Sequence, residues 1–206
     1  MILIETKARE NLADRAFASM FEDRKSVFVD LLKWNLPVLG GRFEIDGFDD
    51  EHAIYVIVAD SRGSHLGSAR LLPTNRPHIL GSLFPELCEG PVPTGDDIFE
   101  ITRFCLSRNQ SGDERRATRN RLVSALVAVA LERRIRTYTG VAQMNWLQQI
   151  LAFGWDCRPL GPPRELDCGL TGALAIAIEP DTPAQLARNR IWIAEAFAER
   201  TLAQAA

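Results

Sequence analysis

The sequence lacks long hydrophobic runs. None of its apolar stretches approaches the roughly 20 residues that a membrane-spanning helix needs, so we expect no membrane span. The N-terminal stretch MILIETKAREN has no basic segment followed by a long apolar run, and we therefore expect no secretory signal peptide. Both absences favour a cytoplasmic protein.

Cysteine and histidine are scarce. The four cysteines form no C-x-x-C pair, and none of the three histidines lies near them at the spacing of a zinc site. We therefore expect free thiols in a reducing compartment and no metal site. Because His52, His65 and His78 are scattered along the chain, we do not expect catalysis by histidine.

Neither charge sign is in large excess. The net charge of -3 excludes a generally basic nucleic-acid binder, although a local basic patch remains compatible with it. With 206 residues, of which 46% are apolar, the chain suits one soluble domain. We find no internal repeat and no linker, so we predict a single domain over residues 1–206.

The hydrophobic pattern predicts an α/β fold. Two early apolar segments joined by the turn SRG indicate an antiparallel hairpin, and later strands alternate with helices. We predict a single-domain, three-layer α-β-α sandwich around a mixed, largely antiparallel sheet. The predicted strands cover residues 2–6, 53–60, 65–73, 98–104, 137–141 and 172–179, and the predicted helices cover about 12–32, 121–136, 145–155 and 182–204.

One arginine falls on the apolar face of the first predicted helix. Phe17, Phe21 and Phe28 recur at helical spacing, and Arg24 lies in the same stripe. Two interpretations stay open. The side chain can reach solvent along its aliphatic stem, or the guanidinium is buried with acidic partners, since an unpaired buried charge is very costly.

Residues 33–53 form a long loop in which acids alternate with aromatic residues. Asp46 and Asp49 stand beside Phe43 and Phe48, and the glycines of this stretch indicate turns. Long ordered loops in compact domains are usually functional. The alternation of acids and aromatic side chains indicates the wall of a pocket.

Two predicted strands carry charges. Arg70 lies within the strand 65–73, and Glu100 and Arg103 lie within the segment DDIFEITRFCLS. Strict alternation places Glu100 on one face of its strand, with Thr102 and Phe104, and Arg103 on the other face. Glu100 is a candidate general base.

The buried charges balance, and we expect them to pair with one another. A purely structural network is a weak explanation, because buried ion pairs seldom stabilise more than hydrophobic replacements do. A zwitterionic small molecule is a better one, because an ammonium needs carboxylates and a carboxylate needs arginine. The charged positions are Arg24, Asp46, Asp49, Arg70, Glu100 and Arg103.

These residues carry a family resemblance. Arg24, Phe28 and Trp34, followed by EIDGFDDEHAIYVIV, GSARLLPTNRPHILGSLFPEL and IFEITRF, resemble the acyl-homoserine-lactone synthases, the LuxI-type autoinducer synthases of quorum sensing. The resemblance is closest over residues 20–106. It implies a fold similar to the GNAT N-acetyltransferases and no cofactor. It also implies two substrates, S-adenosylmethionine and an acyl thioester of acyl carrier protein or coenzyme A.

The resemblance also implies roles for individual residues. The six charged positions would be catalytic, with Asp46 and Asp49 serving the ammonium, Arg103 the carboxylate and Glu100 the base. An oxyanion donor is expected among the backbone N–H groups near 104–106. The S-adenosylmethionine contacts would be Phe28, Trp34, Asp46, Thr102, Arg103 and Phe104. The acyl pocket would be lined by Leu72, Phe84, Val141, Met144, Trp146 and Leu147, each of which also fits an ordinary core.

Several alternatives remain at this point. A basic cluster, residues 115–136, suits docking of an acidic acyl carrier protein, coenzyme A phosphates or plain solvation; its arginines are Arg115, Arg116, Arg119, Arg121, Arg133, Arg134 and Arg136. One rival function is a GNAT acyltransferase acting on another amine. The segment RNQSGDERRATRNR has one glycine, where that family binds pyrophosphate on a glycine-containing turn, which counts against this rival. The other rival is a non-catalytic binding module.

Overall fold

The structure, a computed structural model, describes residues 1–6 and 14–194 and the backbone of 200–202. Strands and helices alternate along most of the chain. The strands are β1 (Ile2–Glu5), β2 (Val38–Leu39), β3 (Phe43–Glu44), β4 (Ile54–Ala59), β5 (His65–Pro73), β6 (Ile98–Leu106), β7 (Thr137–Gln143), β8 (Cys157–Pro159), β9 (Arg164–Leu166), β10 (Gly169–Ala177) and β11 (Arg200–Leu202). The helices are α1 (Arg15–Arg24), α2 (Ile79–Leu83), α3 (Gly112–Arg133), α4 (Met144–Leu151) and α5 (Thr182–Arg188).

The chain divides into two compact units. The first contains residues 1–71, 103–125 and 193–206, and the second contains residues 72–102 and 126–192. Strands β5 and β6 and helix α3 each contribute residues to both units. The charged loop lies in the first unit, and Glu100 lies in the second.

The first unit has helices on both faces of a largely antiparallel sheet, in which β11 pairs with β1 in parallel. Strand β4 pairs with β1 and β5, and Tyr55 of β4 lies opposite Arg70 of β5. Phe17 and Phe21 of α1 pack edge-on against Tyr55. On the other face, a Cβ atom at Gly67 would lie 2.8 Å from Thr118 of α3, so glycine permits the close approach of that helix.

The second unit repeats this layering. Strand β6 pairs in parallel with β7, and β10 pairs antiparallel with β7, β8 and β9. Leu80 of α2 contacts Glu100 on one face, while Tyr138 donates a hydrogen bond to the Leu126 carbonyl of α3 on the other. Helices therefore cover both faces of a mixed, largely antiparallel sheet, and the predicted three-layer α/β fold is confirmed.

The first helix begins later than predicted and changes type. Asp14 caps α1 by accepting hydrogen bonds from the backbone N–H groups of the first turn, and residues 12 and 13 lie outside the described residues. From Lys25 to Leu31 the chain continues as a π-helix. Such segments are rare and occur frequently at functional sites. This one carries Phe28 and leads directly to Trp34.

Helix α3 begins at Gly112, so the predicted start at residue 121 is wrong. The Ser111 N–H donates to the Glu114 carboxylate, and the Glu114 N–H donates to the Ser111 hydroxyl. This reciprocal pair is a capping box, which supplies the exposed helix end with hydrogen bonds. The charged composition of the segment concealed it, because the first turns of α3 are exposed and need no apolar stripe.

The predicted C-terminal helix over 182–204 is also wrong in length. Helix α5 ends at Arg188, and Arg190 has a φ of 58°. The N–H groups of Arg190 and Ile191 donate to the carbonyls of Ala187 and Leu186, which is the Schellman pattern that ends helices. Residues 195–199, 203 and 204 of the prediction lie outside the described residues, and residues 200–202 form a strand.

The part of the chain that the structure describes contains no helix long and apolar enough to cross a membrane.

Candidate active site

Three arginines and three carboxylates form a hydrogen-bonded cluster in the first unit. Helix α1, the loop that follows it and strands β3, β5 and β6 all supply members. The cluster consists of Arg24, Glu44, Asp46, Asp49, Arg70 and Arg103. Its charges balance, as expected from the sequence, but its third carboxylate is Glu44.

Arg24 is held between two carboxylates. Its Nε atom lies 2.6 Å from Glu44 Oε2, and its two terminal nitrogens lie 2.8 and 2.9 Å from the two oxygens of Asp49. The side chain is 1% exposed. The interpretation of Arg24 as a buried, paired guanidinium is confirmed, and the interpretation as a side chain that reaches solvent is wrong.

Arg70 joins the two aspartates of the loop. Its Nη1 atom lies 2.6 Å from Asp46 Oδ1 and 2.8 Å from Asp49 Oδ1. The Tyr55 hydroxyl donates to Asp49 Oδ1 at 2.8 Å, and the Asp46 N–H donates to Asp49 Oδ2 at 2.8 Å. Asp49 therefore accepts hydrogen bonds from Arg24, Tyr55 and the Asp46 N–H and forms an ion pair with Arg70, which fixes the direction of its carboxylate.

Arg103 closes the cluster from strand β6. Its Nη2 atom lies 2.7 Å from Asp46 Oδ2 and 3.1 Å from Glu44 Oε1. The side chains of Arg103 and Asp46 are each 9% exposed, whereas those of the other four members are at most 1% exposed. Arg103 and Asp46 are thus the members of the cluster that a bound molecule can reach.

Arg103 has a φ of 50°, which non-glycine residues rarely adopt. Glu100 and Thr102 are buried, and the next buried residue of β6 is Cys105, three positions after Thr102. Strict alternation therefore ends at Arg103, and the sequence-based assignment of Phe104 to the face of Glu100 does not follow from it. Backbone strain of this kind is concentrated at functional sites.

Charged neighbours favour the ionised forms of Asp46, Asp49 and Arg24. Burial alone would raise the pKa of the Asp49 carboxyl, but the charges of Arg24 and Arg70 outweigh it and hold that pKa well below its usual value. Burial likewise works against Asp46, whose pKa is lowered by Arg70 and Arg103. The pKa of the Arg24 guanidinium is raised because Asp49 and Glu44 outweigh its desolvation.

Two aromatic rings lie beside the accessible edge of the cluster. Phe28 and Trp34 stack with ring centroids 5.1 Å apart and an interplanar angle of 16°. The guanidinium carbon of Arg103 lies 5.6 Å from the centre of the Phe28 ring. Trp34 Nε1 is buried and has no hydrogen-bond partner among the residues that the structure describes. The pair offers a flat apolar surface and a free donor next to a guanidinium.

Glu100 lies in the second unit and is fully buried. Its Oε1 atom accepts a hydrogen bond of 3.0 Å from the Leu80 N–H of α2. Thr139 is its register partner on the parallel strand β7, so the two side chains point to the same face of the sheet. The Thr139 hydroxyl is buried and has no hydrogen-bond partner within the described ranges. A carboxylate and a hydroxyl therefore stand side by side.

The predicted acyl-pocket residues fall into two groups. Phe84 and Val141 pack against a buried cluster of Leu80, Leu87 and Ala173. Because Val141 is two residues from Thr139 on β7, this group lies on the face of Glu100.

The second group lies around Gly172. A Cβ atom there would lie 2.9 Å from Leu147 and 3.8 Å from the sulfur of Met144. Gly172 and Ala173 are neighbours on β10 and point to opposite faces. Trp146 packs edge-on against Phe153, with ring centroids 5.9 Å apart. The structure thus assigns Met144 and Leu147 to the other face of the sheet.

The remaining predicted residues are less informative. Leu72 and Thr102 are buried, and Phe104 is half-buried directly after Arg103. The arginines of residues 115–136 divide between the two ends of α3: Arg115 donates to the Ser107 carbonyl, and Arg116 pairs with Asp113 at 3.6 Å. No group of three or more His, Cys, Asp or Glu that could hold a metal ion occurs within the described residues.

The sequence analysis missed three partners at the site. Glu44 is one of five acids in the loop. It points inward because it lies in the short strand β3, and the glycines before this strand favour the prediction of a turn instead. Tyr55 lies in the continuous apolar segment AIYVIVAD, so the sequence indicates a core residue and not a hydrogen-bond donor. The backbone N–H of Leu80 leaves no trace in the sequence. The sequence offered one signal for these partners: Tyr55, whose ring carries a hydroxyl, lies opposite Arg70 in the predicted hairpin.

Comparisons with known proteins agree with this geometry. A family model described as autoinducer synthase matches residues 9–177. An acyl-homoserine-lactone synthase of Ralstonia nicotianae is 33% identical over 181 residues, covering 85% of this chain and 88% of that protein.

Solved structures are similar as well. MesI, a CoA-dependent acyl-homoserine lactone synthase, is 30% identical, with a TM-score of 0.80 and coverage of 92% of this chain and 94% of that chain. An acyl-CoA N-acyltransferase of Pseudomonas aeruginosa is 16% identical, with a TM-score of 0.58 over 86% of this chain and 99% of that chain. That last likeness is one of fold alone.

Proposed function

The chain belongs to the autoinducer synthase family, and from this premise we propose that it makes an acyl-homoserine lactone from S-adenosylmethionine and an acyl thioester. The observation that carries the proposal is the charge-balanced cluster, whose accessible members are one guanidinium and one carboxylate, Arg103 and Asp46. Such a pair is complementary to an α-amino acid, whose own ammonium and carboxylate are a fixed distance apart.

The cluster and the aromatic pair together suit S-adenosylmethionine. The guanidinium of Arg103 takes the methionine carboxylate, and Asp46 takes the ammonium. The stacked rings of Phe28 and Trp34 accept the sulfonium or the adenine by cation–π and stacking contacts. Arg24, Arg70 and Asp49 are too deeply buried to touch the substrate and hold the accessible pair in position.

The first step forms an amide. The methionine amine attacks the thioester carbonyl, the carbon–sulfur bond breaks, and the carrier leaves as a thiol. The attacking amine must lose a proton, and Glu100 is the proposed base, directly or through a water molecule. The Leu80 N–H orients the Glu100 carboxylate for this role. The Thr139 hydroxyl is available to the acyl group on the same face.

The second step closes the lactone. A carboxylate oxygen of the methionine attacks its own γ-carbon, the bond from that carbon to the sulfonium breaks, and neutral methylthioadenosine leaves. No proton or electron is required from outside, so the proposal needs no cofactor. Arg103 must hold the carboxylate in place for the amide step while leaving one oxygen free to attack.

We propose acyl-coenzyme A or acyl carrier protein as the donor. The relative MesI is CoA-dependent, which favours coenzyme A. The exposed Arg116 in the first turns of α3 suits phosphates or an acidic carrier protein. The cysteines within the described ranges are free thiols, which suits a reducing cytoplasm, the location that we propose.

The proposal is tested by incubating the purified protein with S-adenosylmethionine and a panel of acyl-coenzyme A and acyl carrier protein donors. We expect equal amounts of methylthioadenosine and acyl-homoserine lactone by mass spectrometry. An acyltransferase acting on another amine would release no methylthioadenosine in this mixture, and neither would a binding module. Absence of methylthioadenosine with every donor would contradict the proposal.

A further inference from the structure

A buried histidine joins the helix that carries Arg24 to the strand that carries Arg70. His65 Nδ1 lies 2.7 Å from Asp23 Oδ2, and His65 Nε2 lies 3.0 Å from the Ser68 hydroxyl oxygen. Asp23 directly precedes Arg24 on α1, and Ser68 lies two residues before Arg70 on the same face of β5. The imidazole therefore connects the same two elements as the charged cluster does.

A β-bulge turns His65 toward this face. In the pairing of β4 with β5, Val58 lies opposite Gly67 and Ala59 lies opposite His65, so Leu66 is skipped. On a regular strand, side chains three residues apart point to opposite faces. The skipped residue is what brings His65 and Ser68 to one side, where a single ring reaches both partners.

The order of hydrogen bonds, carboxylate to imidazole to hydroxyl, is that of a hydrolytic triad. In this chain of hydrogen bonds the solvent-accessible end is the carboxylate, whereas a nucleophilic triad needs an accessible hydroxyl. A cleft of about 520 Å³ in this unit is lined by Asp23 and His65 but not by Ser68. The Asp23 side chain is 17% exposed, whereas Ser68 is 1% exposed. A hydroxyl that no substrate can reach does not attack one, so the chain of hydrogen bonds serves another purpose.

That purpose follows from a second bridge beside it. Asp49 accepts hydrogen bonds from Arg24 and forms an ion pair with Arg70, and so links α1 to β5. His65 links the preceding residues of the same two elements, Asp23 and Ser68. The His65 N–H also donates to the Ser19 hydroxyl of α1 at 3.0 Å. Contacts at several points along the helix fix the angle between α1 and β5.

We propose that His65 and Asp23 are positioning residues for the synthase reaction. They hold α1 against β5 so that Arg24, Arg70 and Asp49 keep Asp46 in the direction that S-adenosylmethionine requires. The inference rests on the proposed function and adds two residues that touch no substrate. Their contribution is to the binding of S-adenosylmethionine and not to the binding of the acyl donor.

The test compares steady-state constants for both substrates in Asp23→Leu, His65→Gln and Asp23→Asn. We expect Asp23→Leu and His65→Gln to raise the KM for S-adenosylmethionine about tenfold, the effect of losing one buried hydrogen bond to a charged group. The KM for the acyl donor should stay within about twofold, and kcat should change less than the KM for S-adenosylmethionine. Asp23→Asn keeps an acceptor for His65 Nδ1 and should behave nearly as the wild type.

The matched control is Asp60→Asn, because Asp60 lines the same cleft and accepts hydrogen bonds from the Arg62 and Ser64 N–H groups of its own turn. It should leave both KM values unchanged. Suppose the wild type is active. If Asp23→Leu and His65→Gln leave the KM for S-adenosylmethionine unchanged, or raise both KM values equally, this inference is wrong and the proposed function stands. If Asp23→Leu does not fold, the KM values of His65→Gln test the inference. A wild type that makes no lactone overturns the proposed function instead.

Discussion

At the scale of single residues, the proposed reaction gives different roles to two side chains of β6, Glu100 and Arg103. Glu100 is buried beside the Leu80 N–H and Thr139, where a base can take a proton from an incoming amine. Arg103 lies at the accessible edge of the charged cluster, where it can hold a carboxylate. Substitutions at the two positions should therefore affect different kinetic constants.

We expect Glu100→Gln to lower kcat about 100-fold, the lower range of a general-base contribution. The amide keeps the shape and can still accept from the Leu80 N–H, so the KM for S-adenosylmethionine should change little. Release of methylthioadenosine at saturating substrate is the measurement. Glu86→Gln, at an exposed glutamate of the same unit, is the control. Full activity in Glu100→Gln would remove Glu100 from the role of base.

We expect Arg103→Lys to raise the KM for S-adenosylmethionine about tenfold or more, because an ammonium cannot reproduce the planar fork of a guanidinium. Arg103 also contacts Glu44 and Asp46, so lysine leaves part of the cluster without its donors. Calorimetric titration with S-adenosylmethionine measures the effect directly. An unchanged affinity would show that the carboxylate binds elsewhere.

The sequence predicted five members of the cluster because arginine and aspartate stand out in apolar segments. It did not predict Glu44, since one acid in an acidic loop looks like any other. Which loop acid turns inward depends on the pairing of β2 with β3, where Glu44 lies opposite Val38. That pairing covers two residues on each strand, too few for an alternation of polar and apolar residues to be visible.

At the scale of elements, the residues predicted to line the acyl pocket lie on opposite faces of the sheet, one group with β7 and the other with α4. Val141 of β7 faces the side of Glu100 and packs with Phe84, Leu80 and Ala173, whereas Leu147 of α4 packs at Gly172. We expect an acyl group whose carbonyl lies near Glu100 to extend along the surface that contains Val141. The length of acyl chain that fits there should then depend on Val141.

We expect Val141→Phe to lower kcat/KM for long acyl donors about tenfold relative to short ones, because a ring at this position fills space along the chain. The measurement is a comparison of donors that differ only in acyl length. Leu147→Met, a substitution of nearly equal volume on the other face, is the matched control and should leave the preference unchanged. A shift of preference in Leu147→Met and not in Val141→Phe would place the chain on the opposite face.

The sequence located most strands because their apolar runs are bounded by turns, as in β5. It misplaced the start of α3 and the end of α5 for opposite reasons. The first turns of α3 are exposed and charged, so they lack the stripe of apolar residues by which an amphipathic helix is recognised. Beyond Arg188 the apolar periodicity continues into IWIAEAF, although Arg190 in a left-handed conformation has already ended the helix.

At the scale of the whole molecule, the charged cluster links stability to pH. The folded-state pKa values of Asp46 and Asp49 lie below the ordinary value of 3.8, so both carboxylates bind protons less readily in the folded protein than in the unfolded chain. Their contribution to stability is fully present above the ordinary pKa and is lost as pH falls below it toward the folded-state values.

We therefore expect the free energy of unfolding to change little from neutral pH down to about pH 5 and to fall steeply below about pH 4. Urea denaturation at a series of pH values measures this. Asp49→Asn should be less stable at neutral pH, because Arg24 and Arg70 lose a charged partner, and should show a shallower fall in acid. An equally steep fall in Asp49→Asn would assign the acid sensitivity to other groups.

The order of layers was predictable from the sequence, because apolar strands alternate with amphipathic helices. The pairing of β6 in parallel with β7 was not, since it depends on contacts between residues far apart in the chain. The position of Thr139 beside Glu100, which follows from that register, was for the same reason beyond sequence analysis.

The central claim is that the site holds S-adenosylmethionine so that its own carboxylate displaces methylthioadenosine. The most direct test uses S-adenosylmethionine carrying oxygen-18 at both carboxylate oxygens, followed by mass spectrometry of the lactone. We predict that both labelled oxygens are retained, one in the ring and one in the carbonyl. A lactone that retains only one labelled oxygen would show that water attacks the γ-carbon first, and would contradict the account.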